Sequence, residues 1–97
     1  MAYRIKRYTY EQAKKLGVEV KPSKTKGKKI DVFKNGEKIA SVGALGMNDY
    51  PTYLEKEKDG IIEKGTANRR RKAYKMRHEK DRHVRGSKGY YADKLLW

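Results

Sequence analysis

Between Arg69 and Arg85 the chain concentrates nine cations, Arg69, Arg70, Arg71, Lys72, Lys75, Arg77, Lys80, Arg82 and Arg85, with only Glu79 and Asp81 among them. Charge of one sign at that density suits a polyanion. Each phosphate neutralised releases condensed counterions, so such binding is steeply salt-dependent. Arginine adds a planar fork that matches phosphate oxygens, which lysine's point charge does not. On a helix Arg69, Arg70 and Arg71 point in three directions, so at least one must face protein. Two other uses of the segment stay open: docking on an acidic protein, or a solvated face laced by i,i+4 pairs such as Arg77–Asp81 and Asp81–Arg85. Two acids cannot balance nine bases, which favours phosphate.

A second basic segment runs Lys21-Pro22-Ser23-Lys24-Thr25-Lys26-Gly27-Lys28-Lys29 and has a linker's composition. It reads as a mobile basic loop whose Lys24, Lys26, Lys28 and Lys29 would join a phosphate surface if it lay beside the basic helix. Tyr3, Tyr8, Tyr10 and Tyr74 stand near these cations, and either stack on bases or replace missing Leu and Phe in a thin core. The core use is favoured. The C-terminal Tyr90, Tyr91, Leu95, Leu96 and Trp97 are costly to leave in water, which marks 90–97 as an aromatic, apolar tail for docking on a partner.

Other chemistry finds little footing. His78-Glu79-Lys80-Asp81-Arg82-His83 is close to a zinc-protease H-E-x-x-H, but its histidines are five apart and so on different helix faces. No metal site or cofactor is expected. Without cysteine there is no disulfide framework, thiolate zinc site or Cys nucleophile. Gly43-Ala44-Leu45-Gly46 lacks the Lys-Ser/Thr of a phosphate-cradling P-loop. Ser23, Ser41 and Ser87 have no nucleophile context, and Glu55 and Glu57 point to different faces of their helix. Nuclease activity is the one enzymatic class that would join DNA affinity to carboxylates; the reading is nonetheless non-catalytic, with no catalytic residues.

The elements that must position these groups come from 97 residues with a formal net charge of +14. At this length one small domain, 1–97, is expected. Residues 1–29 and 66–97 each carry a net +8, while residues 30–65 are nearly neutral at −2. Leu, Ile, Val and Phe number only sixteen, so independent stability should be marginal. Alternation of Tyr3 and Ile5 with Arg4 and Lys6 predicts a strand near 2–8, and Thr9-Tyr10-Glu11-Gln12 fits a capping box for a short helix stopped by Gly17. Further strands are predicted at 18–21, 29–34 and 37–43. Asn35-Gly36 between the last two specifies a type I′ hairpin. Pairing Lys34 with Glu37 puts Ile30, Val32 and Ile39 on one face and Phe33, Ala40 and Val42 on the other. Asn48 or Asp49 caps a helix with Pro51 in its first turn, Ile61 and Ile62 form an apolar plug, and Thr66 caps a basic helix over 66–85 with a sparse stripe of Ala73, Tyr74, Met76 and Val84. The fold class is α+β: a small, mainly antiparallel sheet packed by a short N-terminal helix and by C-terminal helices, one of them strongly basic.

Lys29-Ile30-Asp31-Val32-Phe33-Lys34-Asn35-Gly36 through Ala40-Ser41-Val42-Gly43-Ala44, with Asp49-Tyr50-Pro51-Thr52-Tyr53-Leu54, resembles a small basic uncharacterised protein family of large double-stranded DNA viruses of algae and protists. The Arg-rich run with His78-Glu79-Lys80-Asp81-Arg82-His83 and the ending Gly89-Tyr90-Tyr91-Ala92-Asp93-Lys94-Leu95-Leu96-Trp97 carry the same resemblance. It implies origin rather than activity, and it implies no catalytic residues. In such a setting the protein is expected to bind nucleic acid, DNA before RNA, or else to serve as a minor capsid or cement protein docked on acidic virion or host proteins. No membrane-length apolar run and no signal-peptide core occur, so the expected location is the virion or the host cytoplasm or nucleus, not the secreted space.

Overall fold

The computed structural model describes residues 3–97. The elements run α1 (Arg7–Leu16), β1 (Glu19–Pro22), β2 (Lys28–Lys34), β3 (Glu37–Ala44), α2 (Tyr50–Lys58), α3 (Thr66–Arg77) and α4 (Lys88–Leu96). The three strands form one antiparallel sheet in the order β1-β2-β3, so the α+β class expected from the sequence is the one found.

The hairpin forms as its turn dictates. Lys34 faces Glu37, and Asn35 and Gly36 take the positive φ values of 53° and 80° that the type I′ turn needs. The facing of β3 differs from expectation. Val32 pairs with Ala40 while Phe33 pairs with Lys38, so Ile39 is an extra residue that bulges out of register. Because side chains alternate with period two, the bulge turns Ala40 and Val42 onto the face of Ile30 and Val32 and leaves Ile39 41% exposed.

That face, with Val20, is covered by α1 and α4, and Ile5, Ala13, Val18, Tyr91, Leu95 and Leu96 complete the core. The segment 90–97 is therefore a helix of the protein's own interior rather than a docking tail. Ser87 caps it by accepting from the Tyr90 amide at 3.1 Å, and Leu95 and Leu96 are 0% and 1% exposed. Tyr91 is buried with them, and Tyr90 and Trp97 are half-buried against the same cluster. Gly43 allows α4 this close: a Cβ there would stand 2.8 Å from Leu96 Cδ1, and its φ is +84°.

The strand predicted near 2–8 is not formed. Residues 1–2 lie outside the described residues, 3–6 are irregular, and α1 begins at Arg7 with Lys6 at its cap position. Thr9 is not the cap; it is wholly buried one turn inside, where its hydroxyl donates to the Leu95 carbonyl at 2.8 Å. Asp49 does cap α2, accepting from the Thr52 amide at 3.0 Å. For α3 the cap position is Gly65 rather than Thr66, and the first turn is closed from α2 by Glu57, which accepts from the Ala67 amide at 2.7 Å.

The basic helix is shorter than predicted. It stops at Arg77, and a series of turns over residues 78–86 carries Lys80, Arg82 and Arg85 away from it. Its predicted apolar stripe is only partly its inner face: Ala73 and Tyr74 are half-buried, but Met76 is 70% and Val84 58% exposed, and of the predicted plug Ile62 is half-buried while Ile61 is exposed.

Candidate nucleic-acid interface

The inner face of α3 consists of Ala67, Arg71, Tyr74, Lys75 and, just past its end, His78, at spacings of four, three, one and three residues. Two of these are cations used structurally. Arg71 Nε donates to the Trp97 carbonyl at 2.7 Å, and its guanidinium lies 4.6 Å from the Tyr50 ring centre. Lys75 Nζ donates to Asp93 Oδ1 at 2.6 Å. Asp93 is almost wholly buried; its Oδ2 makes no hydrogen bond but lies 3.8 Å from Arg82 and 3.9 Å from Lys94. One interior carboxylate thus gathers two lysines and an arginine. Burial depresses the Lys75 pKa more than Asp93 restores it.

The opposite face is free. Arg69, Arg70, Lys72 and Arg77 are exposed, and at 100° per residue they span an arc of about 160° around the helix. Among the described residues none has a carboxylate within 4 Å, and Arg69 alone has a side-chain partner, the Thr66 hydroxyl at 3.1 Å. The helix consequently divides its cations: Arg71 and Lys75 hold the fold, while the four others face water.

The segment 21–29 is not a free loop: residues 21–22 end β1, 28–29 begin β2, and 23–27 form a structured turn between them. The Ser23 amide bonds the Lys29 carbonyl, the Lys28 amide bonds the Thr25 carbonyl, and Asp31 accepts from the Ser23 and Ser41 hydroxyls, each at 2.6 Å. Lys24 and Lys26 are exposed at its tip and Lys28 is half-buried. Lys29 is unavailable to a ligand: it is 4% exposed, with Nζ 2.7 Å from Asp49 Oδ2. This turn hangs from the sheet while α3 leans on α2, and the two segments approach at one place, where Lys29 of β2 and Arg77 of α3 line a cavity of about 240 Å³ together with Gly43, Ala44, Tyr74 and Trp97.

A convergence that linear reading missed lies elsewhere. Lys15 from the last turn of α1, Lys34 at the end of β2 and Arg85 from the turns before α4 line one notch of about 290 Å³, together with Leu16, Gly86, Tyr90 and Tyr91. The three cations are 19, 51 and 70 positions apart in pairs, and only the fold brings them together.

The tyrosines serve the core. Tyr74 is sandwiched between Trp97 and His78, with ring centres 4.3 and 4.2 Å away, so neither of its faces is open to a base. Tyr8 meets Tyr50 edge-on at 5.5 Å, and Tyr3 donates to Asp49 at 2.6 Å; Tyr10 alone of the four nominated is exposed. The Glu79–His83 pair is present at 2.7 Å within the turns after α3.

Asp49 joins three segments. Besides the Thr52 amide it accepts from Lys29 and Tyr3, and although burial pushes its pKa up, these donors more than reverse the effect and hold it below the ordinary carboxylate range. Burial likewise raises and the Ser23, Ser41 and Lys24 donors more strongly lower the pKa of Asp31. Tyr3 is shifted upward, first by burial and then by Asp49. For carboxyls lowered in the fold, stability is present above the unfolded pKa of about 4 and is lost as pH falls through the folded value. Thermal melts should accordingly show a midpoint nearly constant from pH 5 to 7 and falling below about pH 4. An unchanged midpoint at pH 3 would contradict this assignment.

Fold and surface together define a small α+β protein with a buried polar frame and an unneutralised cationic exterior. No known protein-family model matches the chain, and neither the curated proteins nor the solved structures include one significantly similar to it.

Proposed function

We propose that this protein binds nucleic acid, duplex DNA above all, through its phosphate backbone and without reading sequence, and that it acts so in a large DNA virus as the sequence resemblance implies. One observation carries the reading: of 26 lysines and arginines only Arg4, Arg7, Lys29, Lys75, Arg82 and Lys94 have a carboxylate within 4 Å among the described residues, leaving twenty without one. Four of the twenty are on the outer arc of α3, where successive turns can meet successive phosphates. Long side chains not fixed by buried partners suit backbone contact rather than recognition of base edges, which requires held bidentate geometry. No catalytic role is assigned to any residue.

Attachment to acidic shell proteins through Tyr90–Trp97 draws no support from the fold, because that segment fills the protein's own core. Mobility-shift titrations with two duplexes of equal length and unrelated sequence test the proposal. The expected affinities agree to within about threefold, as backbone neutralisation requires. A preference of about a hundredfold or more for one duplex would refute backbone-only recognition.

A further inference from the structure

We infer that the notch formed by Lys15, Lys34 and Arg85 is a phosphate-binding site, distinct from the outer face of α3. The protein itself supplies the comparison. Around Asp93, the cations Lys75, Arg82 and Lys94 are held together by a buried carboxylate. The notch gathers the same set, two lysines and an arginine, from three separate segments, yet among the described residues none of its cations has a carboxylate within 4 Å. Like charges brought together without a counter-charge repel, and an external anion relieves that repulsion.

The chemistry of the lining selects the anion. Arg85 offers a planar fork for two oxygens of one tetrahedral group, and Lys15 and Lys34 on the same lining add point charges, a total of three positive charges suited to a phosphate group. Lys15 also lies in the last turn of α1, where a lysine is stabilised by the negative end of the helix dipole. That explains Lys15 alone; it gives no reason for Lys34 and Arg85 to share its notch. Leu16, Tyr90 and Tyr91 provide a partly apolar wall on the same cavity, against which the sugar of a sugar–phosphate unit can lie. The ligand is thus a phosphate oxyanion, either free inorganic phosphate or a phosphate of a polynucleotide backbone.

The test uses the full chain, observed by amide NMR during titration with sodium phosphate and, at matched ionic strength, with sodium acetate and sodium chloride. Saturable shifts at Lys34, Gly86 and Tyr90 with phosphate alone are expected. The triple variant Lys15→Gln, Lys34→Gln, Arg85→Gln should weaken phosphate binding about tenfold or more, as loss of charge-assisted hydrogen bonds implies. A charge-matched control, Lys26→Gln, Lys58→Gln, Lys64→Gln, should change it by less than about twofold if local geometry rather than net charge governs. All six side chains are exposed, and unchanged melting midpoints would verify folding. Shifts that follow ionic strength alone, or equal weakening in the control, would overturn the site.

The source of the phosphate is read from duplex DNA binding by the same triple variant. A salt slope shallower by about one unit assigns the notch to the backbone, and an unchanged slope with lost phosphate binding assigns it to free phosphate; both support the site. Failure of the native protein to bind duplex DNA would defeat the proposed function while leaving the phosphate titration to decide the notch.

Discussion

Replacing Asp49 with alanine is expected to remove about 3–5 kcal/mol of folding stability, the usual consequence of breaking a buried ion pair from one side. The loss has three sources. The Lys29 ammonium, 4% exposed, is left without a hydrogen-bond acceptor among the described residues, with the Tyr3 ring 5.2 Å away. The Thr52 amide at the start of α2 loses its cap, and the Tyr3 hydroxyl loses its acceptor. Lys29→Met should cost less, because Asp49 keeps two of its three donors and the apolar stem of lysine is replaced by a side chain of similar shape. Urea unfolding monitored through Trp97 ranks the variants. Equal losses, or a larger loss for Lys29→Met, would show that the node is not organised around the carboxylate. For a small domain with an ordinary stability of about 5–15 kcal/mol, a change of this size removes a large share of it.

The quadruple variant Arg69→Gln, Arg70→Gln, Lys72→Gln, Arg77→Gln is expected to lose about a hundredfold or more in duplex DNA affinity near 0.1 M salt, as four forfeited phosphate contacts imply. Folding should be spared. All four side chains are exposed, none is in an ion pair among the described residues, and glutamine is close to arginine and lysine in helix propensity. The contrast lies within the same helix. Arg71→Gln breaks the bond to the Trp97 carbonyl and the packing on Tyr50, so it should lower the melting midpoint while changing the salt slope little. Binding and melting measured side by side on the two variants separate the roles. If Arg71→Gln weakened DNA binding as much as the quadruple variant without loss of stability, the division of α3 into a structural and a binding face would be wrong.

Local signals in the sequence were reliable where a short motif decides the geometry. Asn35-Gly36 specifies its turn because both residues tolerate positive φ, and Asp49 before Pro51 specifies a helix start. Ile39 shows where such reasoning ends: one bulged residue exchanges the faces of β3, and nothing in the alternation of Lys38-Ile39-Ala40-Ser41-Val42 announces it. The cations illustrate a second boundary. Composition establishes their excess and offers Lys29, Lys75 and Arg82 to phosphate, but Asp49, Asp93 and Glu79 already hold them. Asp49 and Asp93 come from distant segments, 20 and 18 positions from Lys29 and Lys75, so only tertiary structure matches them to their partners, whereas Glu79 is a local i,i+3 partner of Arg82. The apolar and aromatic residues of Tyr90–Trp97 require that the segment be buried, and it is. What buries it, the face of β3 and α1, depends on a chain reversal that local patterning does not encode.

The most direct measurement is the affinity of the native protein for duplex DNA across a series of salt concentrations. With the four cations of α3 each neutralising a phosphate, log K against log salt should fall with a slope of about −3.6 or steeper. A slope near zero, or no binding even at low salt, would contradict a surface whose unmatched cations serve to engage a polyanion.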